Sequence, residues 1–127
     1  MSSTRRFYTT PIYYASGEPH LGHAYTTILT DVLARFARQD GHDVFFLTGT
    51  DEHGQKIADS AAKVGRTPQE HCDHYAGNFE RLNGRLDVSN EFYVRTTQAH
   101  HAVTVEAIFR KCLAAGATKL PITIDGK

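Results

Sequence analysis

Two histidines close together in the sequence are the first residues whose types and spacing predict chemistry. His20 and His23 enclose Leu21 and Gly22, and they follow a run of turn-forming residues, 15–19. Two imidazoles beside a helix start suit the α-phosphate of a nucleotide, because they can donate hydrogen bonds to charge that develops on phosphorus and on the leaving group. Gly22 has no Cβ, so a flat base can approach the backbone closely. This segment therefore predicts a phosphate site.

An acidic segment, residues 50–54, is the second candidate. Asp51 supplies a fixed negative charge that suits an ammonium group, and it is also a candidate cap for a helix that opens near Gln55. His53 has two open interpretations, since it can orient Asp51 or touch a ligand. The segment follows a short apolar run, as the histidine segment does.

Strands and helices that alternate along the chain must position both segments. Residues 7–14 are uncharged and rich in aromatic and β-branched side chains, which predicts a strand buried on both faces, with Pro11 near its end or at an edge. Residues 44–47 and 91–97 are predicted as further strands. The order β-α-β-α-α-β-α predicts a parallel sheet with right-handed crossovers, whose ligands bind outside the carboxyl ends of the strands. We therefore expect both segments in one crevice.

Four helices are predicted from apolar spacing and capping signals. The first covers about residues 21–39, the second ends at Gly65, the third starts with the capping box of Thr67 and Glu70, and the last covers residues 101–115. In the first two helices the apolar residues at helical spacing are Leu21, Tyr25, Ile28, Leu29, Val32, Leu33 and Phe36, then Ile57, Ala61 and Val64. In the last two helices the side chains expected to face inward are Cys72, Tyr75, Phe79 and Leu82, then Val105, Ile108, Phe109 and Leu113.

Composition narrows the class of protein. The 127 residues are 40% hydrophobic, enough for one domain with a core, and 14 basic residues balance 14 acidic ones, so charge gives no general case for nucleic-acid binding. Cys72 and Cys112 are far apart, which predicts free thiols in a reducing compartment. No apolar run is long enough for a membrane span or a signal segment. We expect a soluble cytoplasmic protein without a membrane partner.

The two segments and their flanks resemble the methionyl-tRNA synthetases, a family of the class I aminoacyl-tRNA synthetases. Residues 20–23 are similar to the "HIGH" signature of that class, and the resemblance covers about residues 7 to 116. It implies an α/β fold, a Rossmann-like (HUP-type) parallel sheet covered by helices that forms the first half of a doubly wound nucleotide-binding domain. Residues 1–116 are assigned to this N-terminal half, and residues 117–127 form a tail of unassigned origin. The motifs that carry the resemblance are Phe7-Tyr8-Thr9-Thr10-Pro11-Ile12-Tyr13-Tyr14, Gly17, Pro19, His20-Leu21-Gly22-His23 and Phe46-Leu47-Thr48-Gly49-Thr50-Asp51-Glu52-His53-Gly54-Gln55-Lys56-Ile57.

The resemblance also implies an activity and its residues. The family activates methionine with ATP and Mg²⁺ to methionyl-adenylate and transfers the acyl group to tRNA. Catalysis is implied for His20 and His23, which also bind ATP together with Gly22. The residues implied in methionine binding are Pro11, Ile12, Tyr14 and Asp51. A thioether suits an apolar and aromatic site because sulfur is polarizable.

The chain also departs from the family pattern. Family members are several times longer and carry a "KMSKS" loop, a zinc-bearing insertion and a helical anticodon domain, none of which has a match here. We therefore expect no metal site and no family zinc site in this chain, and we expect activity to be incomplete. Without the second half of the sheet, the strand at residues 7–14 has an open edge, which favours self-association, and residues 122–124 are a candidate to pair with that edge.

Alternatives stay open at this point. The chain can be a small nucleotidylyltransferase that uses its histidine pair on another triphosphate, or a non-catalytic fragment that binds ATP or methionine. His20 and His23 can also be surface residues or metal ligands. His71, Cys72 and His74 resemble a metal cluster, but a solvated helix face with Cys72 turned inward is the preferred interpretation. We expect Tyr13 and Tyr14 to divide a core role and a ligand role.

Overall fold

The computed structural model describes residues 4–117 of the chain, which divides after Thr97 into two units. The strand predicted for residues 122–124 lies outside the described residues. The second unit contains α4 (Ala99–Ala114). The first unit contains, in chain order, β1 (Arg5–Thr9), β2 (Tyr13–Tyr14), α1 (Leu21–Gln39), β3 (Asp43–Asp51), α2 (Gln55–Lys63), α3 (Pro68–Arg85) and β4 (Phe92–Arg95). The predicted alternation of strands and helices is confirmed.

The sheet is parallel throughout, as predicted, and β3 is its central strand. Leu47 of β3 has Thr9 of β1 as its partner on one side and Phe92 of β4 on the other. Thr50 lies in the same way between Tyr13 of β2 and Arg95 of β4. Strands β1 and β2 therefore lie on the same side of β3, one after the other.

The break between β1 and β2 corrects the prediction of one continuous strand over residues 7–14. It falls at Thr10, Pro11 and Ile12, where the proline has no N–H with which to continue the ladder. Thr10 still donates its N–H to the carbonyl of Leu47, at 3.2 Å. The chain resumes pairing with β3 at Tyr13, so the break interrupts the ladder without moving the chain to another side of β3.

Strand β3 is longer than the four residues predicted, because residues 48–51 continue the strand and do not form a loop. Thr48, Gly49 and Thr50 are buried between neighbouring strands. A Cβ on Gly49 would lie 2.0 Å from the carbonyl oxygen of Val94, so only glycine allows this approach of β4. The glycine that suggested a turn is therefore a close-packing position inside the sheet.

Helix α1 spans the predicted residues, but its apolar face is exposed. Its buried side chains are small or polar, Thr27, Asp31, Ala34 and Ala37. Leu21 and Phe36, at the two ends of the apolar stripe, are 85% and 66% exposed. The stripe lies opposite the buried side chains on the helix, because residues three and four apart share a face. Within residues 4–117, this helix packs through its narrow, polar side.

Helix α3 starts with the predicted capping box, since the hydroxyl of Thr67 accepts from the N–H of Glu70 and the Glu70 carboxylate accepts from the N–H of Thr67. Its predicted inward face is correct at Cys72 and Phe79, whereas Tyr75 and Leu82 are only partly buried. Cys72 packs with Ile57 of α2 and Ala15. The face is rotated from the expected one, because His71 and Asn83 are buried as well.

The inward face predicted for α4 is wrong, since none of its residues is buried. The side chains expected to be inside, Val105, Ile108, Phe109 and Leu113, are all exposed. Periodicity shows which side chains share a face, but burial needs a second element to cover that face. Helix α4 is the one helix or strand that the structure describes in its unit.

Among the described residues, every helix is too short or too polar to span a membrane.

Candidate nucleotide and amino acid site

The chain before the histidine segment meets the acidic segment at the carboxyl ends of β2 and β3. Tyr14 and Asp51, the last residues of these strands, are direct partners in the parallel register. Just beyond them, Ala15 donates its N–H to the carbonyl of Asp51 at 3.1 Å. From Ala15 the chain turns directly towards the start of α1. The turn that leads to the histidine segment therefore begins beside Asp51, and the single crevice expected for both segments stays a prediction.

The histidine pair caps the helix that it begins. His20 is the N-cap residue of α1, and its Nδ1 accepts the N–H of Gly22 at 3.1 Å. His23 returns the interaction, since its Nδ1 accepts the N–H of His20 at 3.1 Å. The two rings stack with their centroids 3.7 Å apart. This is a capping box built from imidazoles, which fixes both rings relative to the helix start.

The capping bonds also determine which ring nitrogen carries the proton. A nitrogen that accepts a hydrogen bond has its lone pair free, so each neutral ring carries its hydrogen on Nε2. Burial lowers the pKa of His23, and the neighbouring His20 lowers it further. His23 is therefore neutral at pH 7, and each ring presents Nε2–H as its donor. Two such donors beside a helix N-terminus suit a phosphate group.

The missing Cβ of Gly22 makes room for the ring of His20, independently of any ligand. A Cβ at this position would lie 3.0 Å from Cε1 and 3.1 Å from Nδ1 of His20. The ring of His20 thus occupies the space that a side chain at residue 22 would take. Beside this glycine, an apolar groove of about 450 Å³ runs along the first turns of α1, lined by Leu21, Gly22, Ala24, Tyr25 and Ile28.

Tyr13 has the core role expected for one of the two tyrosines, and the ligand role stays a prediction for Tyr14. Tyr13 is buried, and its hydroxyl lies 2.9 Å from that of Thr27. Its ring stacks on Phe79 of α3 at 5.4 Å and meets the edge of His23 at 4.8 Å, so it supports the histidine from beneath. Tyr14 is 54% exposed and lies next to Asp51 in the sheet.

The other residues predicted to bind methionine lie along the same edge. Pro11 and Ile12 form the break between β1 and β2, and both are exposed. Asp51 is partly buried at the end of β3, and its Oδ1 accepts the N–H of His53 at 3.4 Å. It does not cap α2, whose N-cap residue is Gly54, so the carboxylate is not committed to a helix. Pro11 and Ile12 therefore lie just before β2, and Tyr14 is the residue of this set that pairs with Asp51.

His53 points away from Asp51. Its Nε2 lies 3.1 Å from the carbonyl oxygen of Thr96, just beyond β4, so Nε2 carries the hydrogen in this contact. The backbone N–H of His53, and not its ring, is what reaches the Asp51 carboxylate. Between the two interpretations left open, the structure favours neither. The imidazole instead ties the end of the segment to β4.

Glu52 is the residue of this site that the sequence did not reveal. It is 4% exposed, and its carboxylate accepts two hydrogen bonds from Arg95, at 2.6 and 3.0 Å. The hydroxyls of Thr50 and Thr97 donate to it as well, at 2.7 and 2.5 Å. Burial opposes ionisation of Glu52, but the bonds from Arg95, Thr97 and Thr50 outweigh it and lower the pKa. The available signal was an arginine at the end of the apolar β4 strand, where a partly buried charge favours a paired carboxylate.

The suspected metal cluster on α3 is not assembled. His71 is 2% exposed, so its assignment to a solvated face is wrong, and its ring meets Tyr75 edge-on at 4.8 Å. Cys72 is turned inward as expected, whereas His74 lies on the surface, 3.8 Å from Glu18. Among the described residues, no group of three or more His, Cys, Asp or Glu side chains is placed to hold a metal ion.

Known proteins resemble this chain over nearly all of its length. The sequence model of the family described as "tRNA synthetases class I (M)" matches residues 6–121. The methionine–tRNA ligase of Thermotoga maritima is 52% identical over 107 residues, which are 84% of this chain and 17% of the relative. The corresponding ligase of Bacillus subtilis is 49% identical over 110 residues, 87% of this chain and 17% of its own length.

A solved structure agrees in shape as well as in sequence. Methionyl-tRNA synthetase of Mycobacterium tuberculosis, in complex with methionyl-adenylate, superimposes with a TM-score of 0.87 at 42% identity, over 89% of this chain and 22% of that one. The chain thus spans about a fifth of the length of the relatives that it matches. With a family model that matches most of the sequence and a catalytic-domain fold that superimposes closely, the chain belongs to the methionyl branch of the class I tRNA synthetases, as a fragment of the catalytic domain.

Proposed function

We propose that this chain carries the part of an active site that binds ATP and methionine for the formation of methionyl-adenylate. The observation that supports the proposal is the pairing of β2 with β3, because the chain leaves β2 beside Asp51 and continues to the histidine-capped start of α1. A negative charge for an ammonium group and two N–H donors for a phosphate are the two requirements of this reaction. The solved relative bound to methionyl-adenylate supports the same assignment.

In the proposed reaction, a carboxylate oxygen of methionine attacks the α-phosphorus of ATP. The bond from that phosphorus to the bridging oxygen of the pyrophosphate breaks, and pyrophosphate leaves with the electron pair. ATP enters as its Mg²⁺ complex, so the metal arrives with the substrate. His20 and His23 donate from Nε2 to the oxygens on which charge develops, and Gly22 leaves their rings the room to do so.

The amino acid is proposed to lie along the exposed edge formed by β2 and the break before it. Asp51 pairs with the ammonium group, and its charge is available because the carboxylate does not cap α2. Ile12 and Tyr14 offer an apolar and an aromatic surface to the thioether, with Pro11 at the backbone beside them. This arrangement orients the carboxylate of methionine towards the histidine pair.

A second candidate function is binding of ATP and methionine without turnover. The exposure of Ile12, Tyr14 and His20 favours it, because a transition state is stabilised most strongly where water is excluded. In this case the chain selects the substrates, and the catalytic power depends on further surfaces of the kind present in its longer relatives.

Methionine-dependent exchange of pyrophosphate into ATP tests the main proposal. We expect exchange that needs methionine and is lost in His20→Ala. Exchange without any amino acid would identify a nucleotidylyltransferase of another kind. Calorimetric binding of ATP and methionine with no exchange would assign the second function, and absence of both binding and exchange would contradict the proposal.

The proposal extends to partners and location by family membership. Transfer RNA is the proposed acceptor in a protein of the relatives' length, and the cytoplasm is the proposed location.

Self-association is proposed through β1, because in residues 4–97 this strand pairs only with β3 and carries the exposed Phe7. The ring of Phe7 stacks on Phe45 of β3 at 5.8 Å, which extends the apolar surface beside that edge.

A further inference from the structure

The buried carboxylate of Glu52 lies directly behind the proposed methionine site. It neighbours Asp51 in the sequence, yet it is almost fully buried while Asp51 is partly exposed. Side chains of consecutive residues in an extended segment point to opposite sides. As long as Glu52 stays inside, Asp51 is therefore directed outwards, to the edge shared with Tyr14.

Arg95 holds Glu52 in that position and connects it to a helix. Its Nε and Nη2 bind the two carboxylate oxygens of Glu52, and Nη2 also donates to Asp73 of α3 at 2.5 Å. A planar guanidinium can form this bidentate contact, which a lysine cannot reproduce. One cation thus joins β4, helix α3 and the residue that follows β3.

The backbone around Glu52 is held by further contacts from the same two elements. The N–H of Glu52 donates to the hydroxyl of Thr96 at 2.8 Å, and the carbonyl of Glu52 lies 3.7 Å from the thiol of Cys72. The ring of His53 reaches the carbonyl of Thr96. The segment that carries Asp51 is therefore supported from behind at each of the two residues that follow it.

We propose that the Glu52–Arg95 pair is a positioning element for the ammonium group of methionine, because it fixes the direction of Asp51 at the end of β3. This inference rests on the proposed function, in which Asp51 receives that group. Neither Glu52 nor Arg95 touches the substrate. Arg95 also neutralises the charge of Glu52, so that Asp51 does not have an uncompensated carboxylate as its neighbour.

Stability alone does not account for such a pair. Two charges removed from water lose hydration that their mutual attraction only partly replaces, and apolar residues of the same volume stabilise a fold at least as well. The Glu52 carboxylate accepts four hydrogen bonds, and these fix its geometry. An apolar contact does not fix geometry in this way. The pair lies where fixed geometry matters, next to the proposed ligand of the amino group.

The test compares Glu52→Gln and Arg95→Met with a matched control. Glu91→Gln is the control, because Glu91 is also a carboxylate paired with an arginine, Arg38, at 2.6 Å, but it precedes β4 at the opposite end of that strand. Calorimetry measures the dissociation constants of methionine and of ATP separately for each variant. Both test variants should weaken methionine binding about tenfold or more and change ATP binding by less than about twofold. The control should change neither constant.

A second measurement follows the segment without any ligand. Cys72 is buried beneath the carbonyl of Glu52, so the rate at which a thiol reagent modifies it reports whether the segment is seated. A Cys112→Ser background removes the other thiol. We expect labelling of Cys72 to accelerate about tenfold in Glu52→Gln and Arg95→Met but not in Glu91→Gln, with the far-ultraviolet circular dichroism of all three unchanged.

The outcomes separate this inference from the function on which it rests. Unchanged methionine affinity in Glu52→Gln, or an equal loss of methionine and ATP affinity, overturns the positioning role. If the parent chain binds no methionine, the proposed function fails, and labelling decides whether the pair holds the segment. Labelling that stays slow in both test variants then overturns the inference as well, whereas fast labelling confined to them supports the part of it that needs no ligand, that the pair holds this segment in place.

Discussion

At the scale of single residues, the histidine pair caps a helix with one set of ring nitrogens, and the chemical role proposed for the pair uses the other set. Nδ1 of His20 and of His23 satisfies a backbone N–H at the start of α1, and Nε2 of each ring remains for hydrogen-bond donation. The capping of the helix therefore leaves Nε2 of both rings for the proposed contact with a phosphate. Substitutions that keep one of these atoms and remove the other can separate the two tasks.

Replacement of His20 separates the capping role from the proposed donor role most directly. His20→Ala removes the acceptor for the Gly22 N–H as well as the Nε2 donor, so we expect about 1 kcal/mol less stability and a loss of exchange of about a hundredfold or more. His20→Asn is the matched variant, because asparagine is a good N-cap but has no donor at the position of Nε2. It should recover stability in urea unfolding and not recover exchange. Full activity of His20→Asn would contradict the role of Nε2.

Gly22→Ala tests whether the ring of His20 depends on a missing Cβ. The added methyl would lie 3.0 Å from that ring, so the ring must move, whereas alanine itself favours the helix. We expect unchanged or higher helix content and weaker ATP binding by calorimetry. Gly17→Ala is the control, because nothing lies within 4 Å of a Cβ there. Equal ATP affinity in the two variants would show that the ring position does not matter.

The pKa of His23 predicts how stability depends on pH. Burial and the neighbouring His20 lower this pKa in the folded chain below its ordinary value of 6.5, so the unfolded chain binds the proton more readily. The contribution of His23 is thus present at pH 7 and above, and it declines as the pH falls from about 6.5 to the folded pKa. Urea unfolding should show a smaller loss between pH 7.5 and pH 5.5 in His23→Gln than in the parent. An identical loss would exclude this residue as the cause.

At the scale of elements, helix α1 buries its small and polar side chains and exposes its large apolar ones, the reverse of the usual pattern. The small and polar residues Thr27, Asp31 and Ala34 face the protein, because a helix that crosses a sheet closely has little room for large side chains. Asp31 accepts from the N–H and the hydroxyl of Ser89, at 2.7 and 2.6 Å, which joins α1 to the segment before β4. The apolar side of the helix contributes little to the stability of residues 4–97.

This arrangement predicts opposite effects of two substitutions on α1. Phe36→Lys changes an exposed apolar residue and should leave the free energy of unfolding within about 0.5 kcal/mol of the parent. Ala34→Leu adds volume at a fully buried position and should reduce it by about 1 to 3 kcal/mol. Urea unfolding measures both. If Phe36→Lys is the more damaging of the two, the apolar side is buried in solution.

At the scale of the whole molecule, the site is at an edge that is exposed in the described structure. The chain spans 17% of the Thermotoga relative and 22% of the Mycobacterium chain that it matches, and two of the residues proposed for methionine, Tyr14 and Asp51, are partners in the sheet. Large apolar side chains are exposed on α1 and at β1, which is more than a monomeric protein ordinarily shows. We therefore expect association to depend on concentration.

Sedimentation velocity tests the part of β1 in that association. Phe7 is 63% exposed on the β1 strand, so Phe7→Lys should shift the chain towards monomer, because a charge on an edge strand opposes pairing between molecules. Phe36→Lys separates the sheet edge from the apolar side of α1. If Phe36→Lys gives the monomer and Phe7→Lys does not, association uses the helix and not the strand.

Local signals predicted much of the fold and part of the site. The bounds of α1 and the capping box at Thr67 followed from spacing over a few residues, as did the position of the histidine pair at a helix start. Glu52 could not be found in this way, because its partner Arg95 is 43 residues away. His71 was placed on the wrong side of α3, since a polar residue at a buried position gives no sign of burial in its own sequence neighbourhood.

The sequence by itself determined the parallel α/β class, the family, and the presence of His20, His23 and Asp51 at the ends of successive strands, because periodicity, capping and motif spacing are properties of neighbouring residues. Only the tertiary structure decided which side of α1 is buried, that α4 has no buried residue, which nitrogen of each histidine is not used in capping, and that the carboxylate of Glu52 pairs with Arg95. The physical reason is that burial and hydrogen-bond partners depend on elements that meet only after the chain has folded.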